Sequence, residues 1–301
     1  MSFARVVLLT SLAMLAFACN SLLCRVALRQ TSIDAASFTT VRLTSGAVVL
    51  WLVVRFSGRA VTGRGNWLSA LALFVYAAGF SFAYVSLSAS TGALLLFGAV
   101  QATMIGDGMW RGERLSILQL AGLLVALAGL IGLLLPGLSA PPLLSAALMI
   151  TAGVAWGVYS LRGRNAGDPT QVTAGNFLRA VPCTVVFSLL MQNEISLDRA
   201  GVCFAVLSGA LASGLGYAIW YTALPTLKAI HAATVQLSVP VIAAAGGIAF
   251  LGESATFRLA LASAAILGGI AVVILEKQFR IAPALPPPLS DPVRPEFNPD
   301  E

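Results

Sequence analysis

The chain has 301 residues, of which 58% are hydrophobic and only 10% charged, so too few charges remain to solvate a soluble domain of this length. The net charge of +6 is accounted for by anchoring at a membrane surface. It calls for no nucleic acid, and no aromatic-basic recognition pattern accompanies it.

Apolar runs of about 20 residues cross roughly 30 Å of hydrocarbon as helix. Ten such runs follow one another along the chain. They are too long for membrane strands and do not alternate. The first covers 6–25 and holds Asn20 near its middle. Arg5 and Ala16-Phe17-Ala18-Cys19 resemble a cleaved secretory or lipoprotein leader. The run nevertheless continues through Leu22-Leu23, and a retained helix is expected. The second run, 36–54, carries Arg42 about two turns inside. The third, 67–87, sets Tyr76, Phe80 and Tyr84 four apart on one face. The fourth, 91–110, has Gln101 near mid-span and Asp107 about one turn from its end. Gly112-Glu113-Arg114 follows it, and the fifth run, 116–135, is rich in glycine. Pro136, Gly137, Pro141 and Pro142 form an uncharged hinge. The sixth run, 143–161, holds Trp156 and Tyr159; the seventh, 172–191, holds Arg179; the eighth, 201–221, holds Tyr217 and Tyr221. The ninth, 231–250, begins at His231 and contains Gln236 and Pro240, and Gly252-Glu253-Ser254 follows it. The tenth is 257–275. Past Phe279 a proline-rich tail lacks any apolar period and is expected to be disordered or extended.

The second five runs repeat the first five. Arg42 recurs as Arg179, Tyr84 as Tyr221, and Gly112-Glu113 as Gly252-Glu253. An odd number of crossings puts the second copy in the membrane upside down relative to the first. The expected fold is therefore all-α, with ten transmembrane helices in two inverted five-helix repeats, 1–137 and 138–280, and a tail, 281–301. Such inverted repeats are an architecture of secondary transporters, with the substrate held near the midplane. Orientation follows from charge. With the N-terminus in the cytoplasm, Arg5, Arg55, Arg59, Arg64, Arg111, Arg114, Arg162, Arg164, Lys228, Lys277, Arg280 and Arg294 fall inside. Only Arg25, Arg29, Arg199 and Arg258 fall outside, which obeys the positive-inside rule. Both termini are then cytoplasmic, in a bacterial inner membrane.

These features carry a resemblance. Two five-helix repeats, Arg42 and Arg179 early in a second helix, the turns at Gly112-Glu113-Arg114 and Gly252-Glu253, Pro240, and glycine-rich fifth helices resemble the EamA-type members of the drug/metabolite transporter superfamily, over about 5–277. Among these the chain is most similar to the YddG-type amino-acid exporters. The resemblance implies export of amino acids, metabolites or drugs and does not fix the substrate.

Groups that break the repeat are the substrate-site candidates, because the scaffold does not require them twice. Asn20 aligns with Ala155, Gln101 with Val241 and Gln236 with Leu96. A mid-membrane amide needs a partner in protein or in a wet cavity. Trp156 and Tyr159 replace Ser21 and Cys24. With Tyr76, Phe80 and Tyr217 they are expected to line an aromatic-tolerant cavity, although each could instead serve packing. Tyr84 and Tyr221, near helix ends, fit an interfacial aromatic belt. Pro240 permits a kink or gate. Arg42 and Arg179 could capture a substrate carboxylate, yet their repetition favours anchoring. The Gly-Glu turns, present in both copies, read as scaffold.

For coupling, Asp107 and His231 are the candidates, and neither is near a helix midpoint. A facilitator, or weakly specified coupling, is therefore expected over a plain proton antiporter. Cys19, Cys24, Cys183 and Cys203 form no CxxC pair, and with a single His no metal or other cofactor is expected. The expected partners are a small-molecule substrate and the lipid bilayer, with a monomer plausible. The leading function is alternating-access export of amino acids. Export of drugs or other metabolites is the alternative within the family. An integral-membrane lipid-modifying enzyme is the alternative of another class, but it lacks the cluster of catalytic groups it would need.

Overall fold

A computed structural model describes residues 2–57, 65–112, 114–135, 140–163, 168–227 and 235–281. Among them the regular structure is entirely helical, with ten principal helices. These are α1 (Phe3–Gln30), α2 (Ala35–Phe56), α3 (Trp67–Tyr84), α4 (Ala89–Trp110), α5 (Ile117–Leu134), α6 (Leu143–Gly163), α7 (Pro169–Leu190), α8 (Arg199–Ala223), α9 (Ser238–Leu251) and α10 (Phe257–Ile281). Nine are long and apolar enough to cross a membrane; α9, with 14 residues, is shorter.

Polar residues in the loops start the helices. The side chains of Ser2, Asp34, Asn66, Ser88, Ser116, Asp168 and Asp198 each accept from a backbone N–H of the first turn that follows. Ser116 and Gln119 complete a reciprocal capping box. Glycine ends two of the helices. Gly112 after α4 and Gly252 after α9 have φ of 90° and 64°, a left-handed backbone that glycine adopts without a Cβ penalty. The two Gly-Glu turns are thus helix stops, at least in their glycines; Glu113 lies outside the described residues.

Two spans differ from expectation. α1 runs on past Arg25 and Arg29 to Gln30, and its last turn is closed by the Thr31 hydroxyl donating to the carbonyl of Ala27. The ninth run was expected to begin at His231, which lies outside the described residues. Helix at Val235 and Gln236 is interrupted by a turn at Leu237 before α9 proper. Pro240, lacking an N–H, cannot close a bond to the carbonyl of Gln236, and the break falls there.

The packing is specific. α1 lies against α8 and α9, and α6 against α3 and α4. α2 meets α7 and α8, and α3 also meets α7. α4 meets α9. α5 and α10 pack chiefly on each other, with α10 also touching α4. Glycines permit the closest of these approaches: Gly122 in α5 and Gly269 in α10 leave no room for a Cβ against the facing backbone. The exterior is apolar where lipid would lie. On α5 alone Ile117, Leu118, Leu120, Leu124, Leu127 and Ile131 are exposed, as the lipid-facing side of a membrane helix requires.

Hydrogen bonds tie the two halves at both ends. Where α1, α3 and α9 finish, Asp34 accepts from the N–H of Ser196 at 2.9 Å, and Asp34 N–H donates to the carbonyl of Ser196 at 3.1 Å. Burial alone would raise the Asp34 carboxyl, but hydrogen bonds from Ser37, Ser196 and Ala36 outweigh it and hold the group below the usual carboxylate range. At the opposite end Arg162, in the last turn of α6, donates to Ser69 and Asn66 at the start of α3.

Candidate functional site

The centre of the helix bundle holds a small cavity lined by Phe17, Asn20 and Ser21 of α1, Tyr76 and Phe80 of α3, Leu96 and Phe97 of α4, Trp156 of α6, and Ala212 and Tyr217 of α8. Its volume is ≈ 20 Å³, room for about one water molecule. Anything much larger than a water molecule fits there only if the walls move apart.

One side is aromatic. The ring of Trp156 sits 4.9 Å from that of Tyr76 and 5.0 Å from that of Tyr217, and it stacks on Tyr159 at 5.4 Å. Phe17 meets Tyr217 edge-on at 5.7 Å. Tyr159 lies one layer further out and accepts from Asn176 of α7 at 3.5 Å. Such clusters combine large apolar area with hydroxyls that still need partners.

The other side is polar. Asn20 accepts from the hydroxyl of Ser208 at 2.6 Å and donates to the hydroxyl of Tyr76 at 3.4 Å. The same Tyr76 hydroxyl accepts from Nη2 of Arg42 at 2.8 Å, and Nε of Arg42 donates to Ser213 at 3.3 Å. The guanidinium carbon lies 5.2 Å and 4.7 Å from the ring centroids of Tyr76 and Phe80.

Backbone irregularity delivers these serines. Between Leu207 and Leu215, α8 widens to a π-helix, which rotates Ser208, Ala212 and Ser213 toward α1 and α2. π-segments are rare and recur at functional sites. Gly209, inside it, lets α8 touch the backbone of α2 at Arg42.

Five of the residues singled out by sequence meet here: Asn20, Tyr76, Phe80, Trp156 and Tyr217 line the cavity, with Tyr159 behind them. Gln101 is 2% exposed but is not in the lining, and its Nε2 has no hydrogen-bond partner among the described residues. Gln236 is half-buried beside the break before α9, and Pro240 is buried in the first turn of that helix. Neither lines the cavity. Asp107 is spent on Arg111, one turn away at 2.9 Å, and His231 lies outside the described residues.

Tyr84 departs from the interfacial belt: it is fully buried, packed on Phe80, with its hydroxyl donating to Ala89. Its position near a helix end concealed this, because Gly92 of α4 opens the space that its ring fills. Tyr221 is half-buried behind Tyr217. Sequence reasoning passed over Ser208 and Ser213, and it treated Arg42 and Arg179 alike. Arg42 is 1% exposed, whereas Arg179 is half-buried and donates to the carbonyl of Gly175. The glycines around 209–216 were the signal for a tight α2–α8 contact.

Comparison with known proteins places this geometry in context. Residues 143–275 match the model of the EamA-like transporter family. An uncharacterized protein of Pseudomonas aeruginosa, PA1977, is 59% identical over 256 residues, covering 85% of this chain and 89% of that protein. The threonine/homoserine exporter RhtA of Salmonella typhimurium is 33% identical over 120 residues, covering 38% of this chain and 39% of the exporter. A crystal structure superimposes with a TM-score of 0.65 at 20% identity, over 91% of this chain and 99% of that one, a likeness of fold.

Proposed function

The chain belongs to the EamA-like transporter family, and from that premise we propose that it is a secondary exporter of amino acids working by alternating access through the central cavity. The observation that carries the proposal is the cavity itself. Its aromatic wall opposes a polar one built from Asn20, Tyr76 and its neighbours, and it draws on helices from both halves of the chain. One polar side and one apolar side suit an amino acid, with its charged head and variable side chain. The partial similarity to a threonine/homoserine exporter points the same way. The aromatic wall also supports a second reading, export of drugs or other amphipathic metabolites.

In this proposal 1–137 and 138–280 are inverted repeats. The contacts between helices support it. Exchanging the first five helices for the last five maps the α1–α8 contact onto α6–α3, α1–α9 onto α6–α4, and α2–α8 onto α7–α3, while α2–α7, α4–α9 and α5–α10 map onto themselves. Among the described residues no carboxylate lines the cavity, which suits facilitated or weakly coupled transport.

Reconstituted into proteoliposomes, the protein is expected to release preloaded amino acids faster than empty vesicles do. No flux with any neutral, aromatic or acidic amino acid would count against the reading. The same assay tests Gln101. Its buried amide has a donor unpaired among the described residues, so Gln101→Leu removes a liability and should leave thermal stability unchanged or higher. If the amide meets substrate in an opened cavity, the half-saturation concentration rises several-fold, as losing a bond of about 1 kcal/mol implies. Unchanged kinetics would remove Gln101 from the site.

Both termini are proposed to be cytoplasmic, in a bacterial inner membrane. In a cysteine-free background, single cysteines in the 56–66 and 162–170 loops should react with an impermeant thiol reagent only after the cells are opened. Cysteines at 136–142 and 193–199 should react in intact cells. The reverse pattern in either half would defeat the inverted-repeat reading.

A further inference from the structure

Arg42 is a cation with no counter-charge among the described residues. It lies well inside α2, is 1% exposed, and holds a guanidinium that stays protonated in any protein setting. Its partners are all neutral: the hydroxyls of Tyr76 and Ser213 and the ring faces of Tyr76 and Phe80. Nη1 has no hydrogen-bond partner among the described residues. The ion pairs among those residues lie elsewhere, Arg25 with Glu253 and Arg111 with Asp107. Charges at membrane depth are costly and are normally paired. Hydroxyls and rings hold this one in place without neutralising it.

The guanidinium also stands directly behind the cavity wall. Tyr76 and Phe80, the two aromatics it touches, are cavity-lining residues, and the Tyr76 hydroxyl links it to Asn20 in the same wall. The cavity must widen to take a substrate, and movement of Tyr76, which accepts from Nη2, would uncover the guanidinium behind it. Arg179, by contrast, is partly exposed and donates to the carbonyl of Gly175 in its own helix.

We propose that the missing counter-charge is supplied by the substrate: Arg42 binds a carboxylate group, and the protein transports compounds that carry one, zwitterionic amino acids included, rather than compounds that lack it. One guanidinium with no counter-charge among the described residues matches one carboxylate group, whose two oxygens suit its planar fork. This rests on the transporter reading above and narrows it, because it separates amino acids from cationic and neutral drugs.

The test uses the purified full chain and matched ligands. Thermal protection in detergent is measured with L-threonine, L-homoserine and L-phenylalanine, with the acids lacking the amine, and with the corresponding amides. Acids with or without the amine should protect at least tenfold better than amides. Arg42→Gln should reduce that preference to about twofold or less, and Arg42→Lys should retain part of it. Should Arg42→Gln fail to fold, the wild-type panel and Arg42→Lys decide the matter. Amides binding as well as acids in the wild type would overturn the proposal, as would a folded Arg42→Gln that keeps the full preference. Protection by the amine-free acids alone would uphold the role of Arg42 while defeating the amino-acid reading. Protection by no carboxylate would defeat both.

Discussion

Gly209→Ala is expected to cost the protein most of its folded yield. A Cβ at this position would fall well under 3.0 Å from the carbonyl oxygen of Arg42 and the hydroxyl of Ser45. One obstacle is backbone, so no rotamer change relieves the clash, and α2 and α8 would have to separate. In an open helical site the same change gains up to ~1 kcal/mol, because alanine is the better helix former. Overpacking a tight contact costs ~1–3 kcal/mol and sometimes more, and a backbone obstacle belongs at the upper end. The clash therefore wins. Gly106→Ala is the control, since nothing lies within 4 Å of a Cβ there. Size-exclusion profiles and melting temperatures in detergent should show Gly209→Ala depleted and less stable, and Gly106→Ala intact. Equal behaviour of the two would mean that α2 and α8 do not meet at Arg42. The support for Ser213 beside the guanidinium would then be lost as well.

The comparison of Arg42 with Arg179 shows where the sequence is readable and where it stops. Hydrocarbon thickness fixes the length of a crossing helix, so the spans are legible as apolar runs. Helical spacing puts Tyr76 and Phe80 on one face, and both line the cavity. Asn20 and Trp156 stand out because the residues aligned with them in the proposed repeat differ, and both lie in the lining. The two arginines, by contrast, occupy equivalent places in their helices, and nothing local tells them apart. What separates them is what other helices bring: Tyr76 and Phe80 from α3 and Ser213 from α8. Ser213 reaches Arg42 from a π-helical turn, which no simple periodicity encodes. Gln101 illustrates the same limit from the other side. Its position along the chain gives its depth in the membrane but not the direction it faces.

Glu253→Ala is the second change expected to have a large effect, and the reason is capping rather than ion pairing. Its carboxylate accepts from the N–H of Ala89 at 2.6 Å and from the N–H and hydroxyl of Ser90 at 3.3 Å, so it holds the first turn of α4. Arg25 is further off, its Nε 3.7 Å away, and its guanidinium is also committed to the carbonyls of Tyr84 and Val85. Charge-assisted hydrogen bonds are worth ~1.5–3 kcal/mol, and a long ion pair adds ~1 kcal/mol or less. Alanine leaves the buried amides at the start of α4 without this acceptor, so a loss of about 3 kcal/mol is expected. Glutamine keeps an acceptor oxygen but gives up the negative charge that favours a helix N-terminus, an effect of about 1 kcal/mol. Melting temperatures should therefore fall in the order wild type, Glu253→Gln, Glu253→Ala. Flux per folded molecule in proteoliposomes should change little for Glu253→Gln, since the group contacts a helix end and not the cavity lining. A Glu253→Gln protein with wild-type stability and no flux would show instead that the carboxylate takes part in transport, and that the tie between α9, α1 and α4 must break and re-form in each cycle.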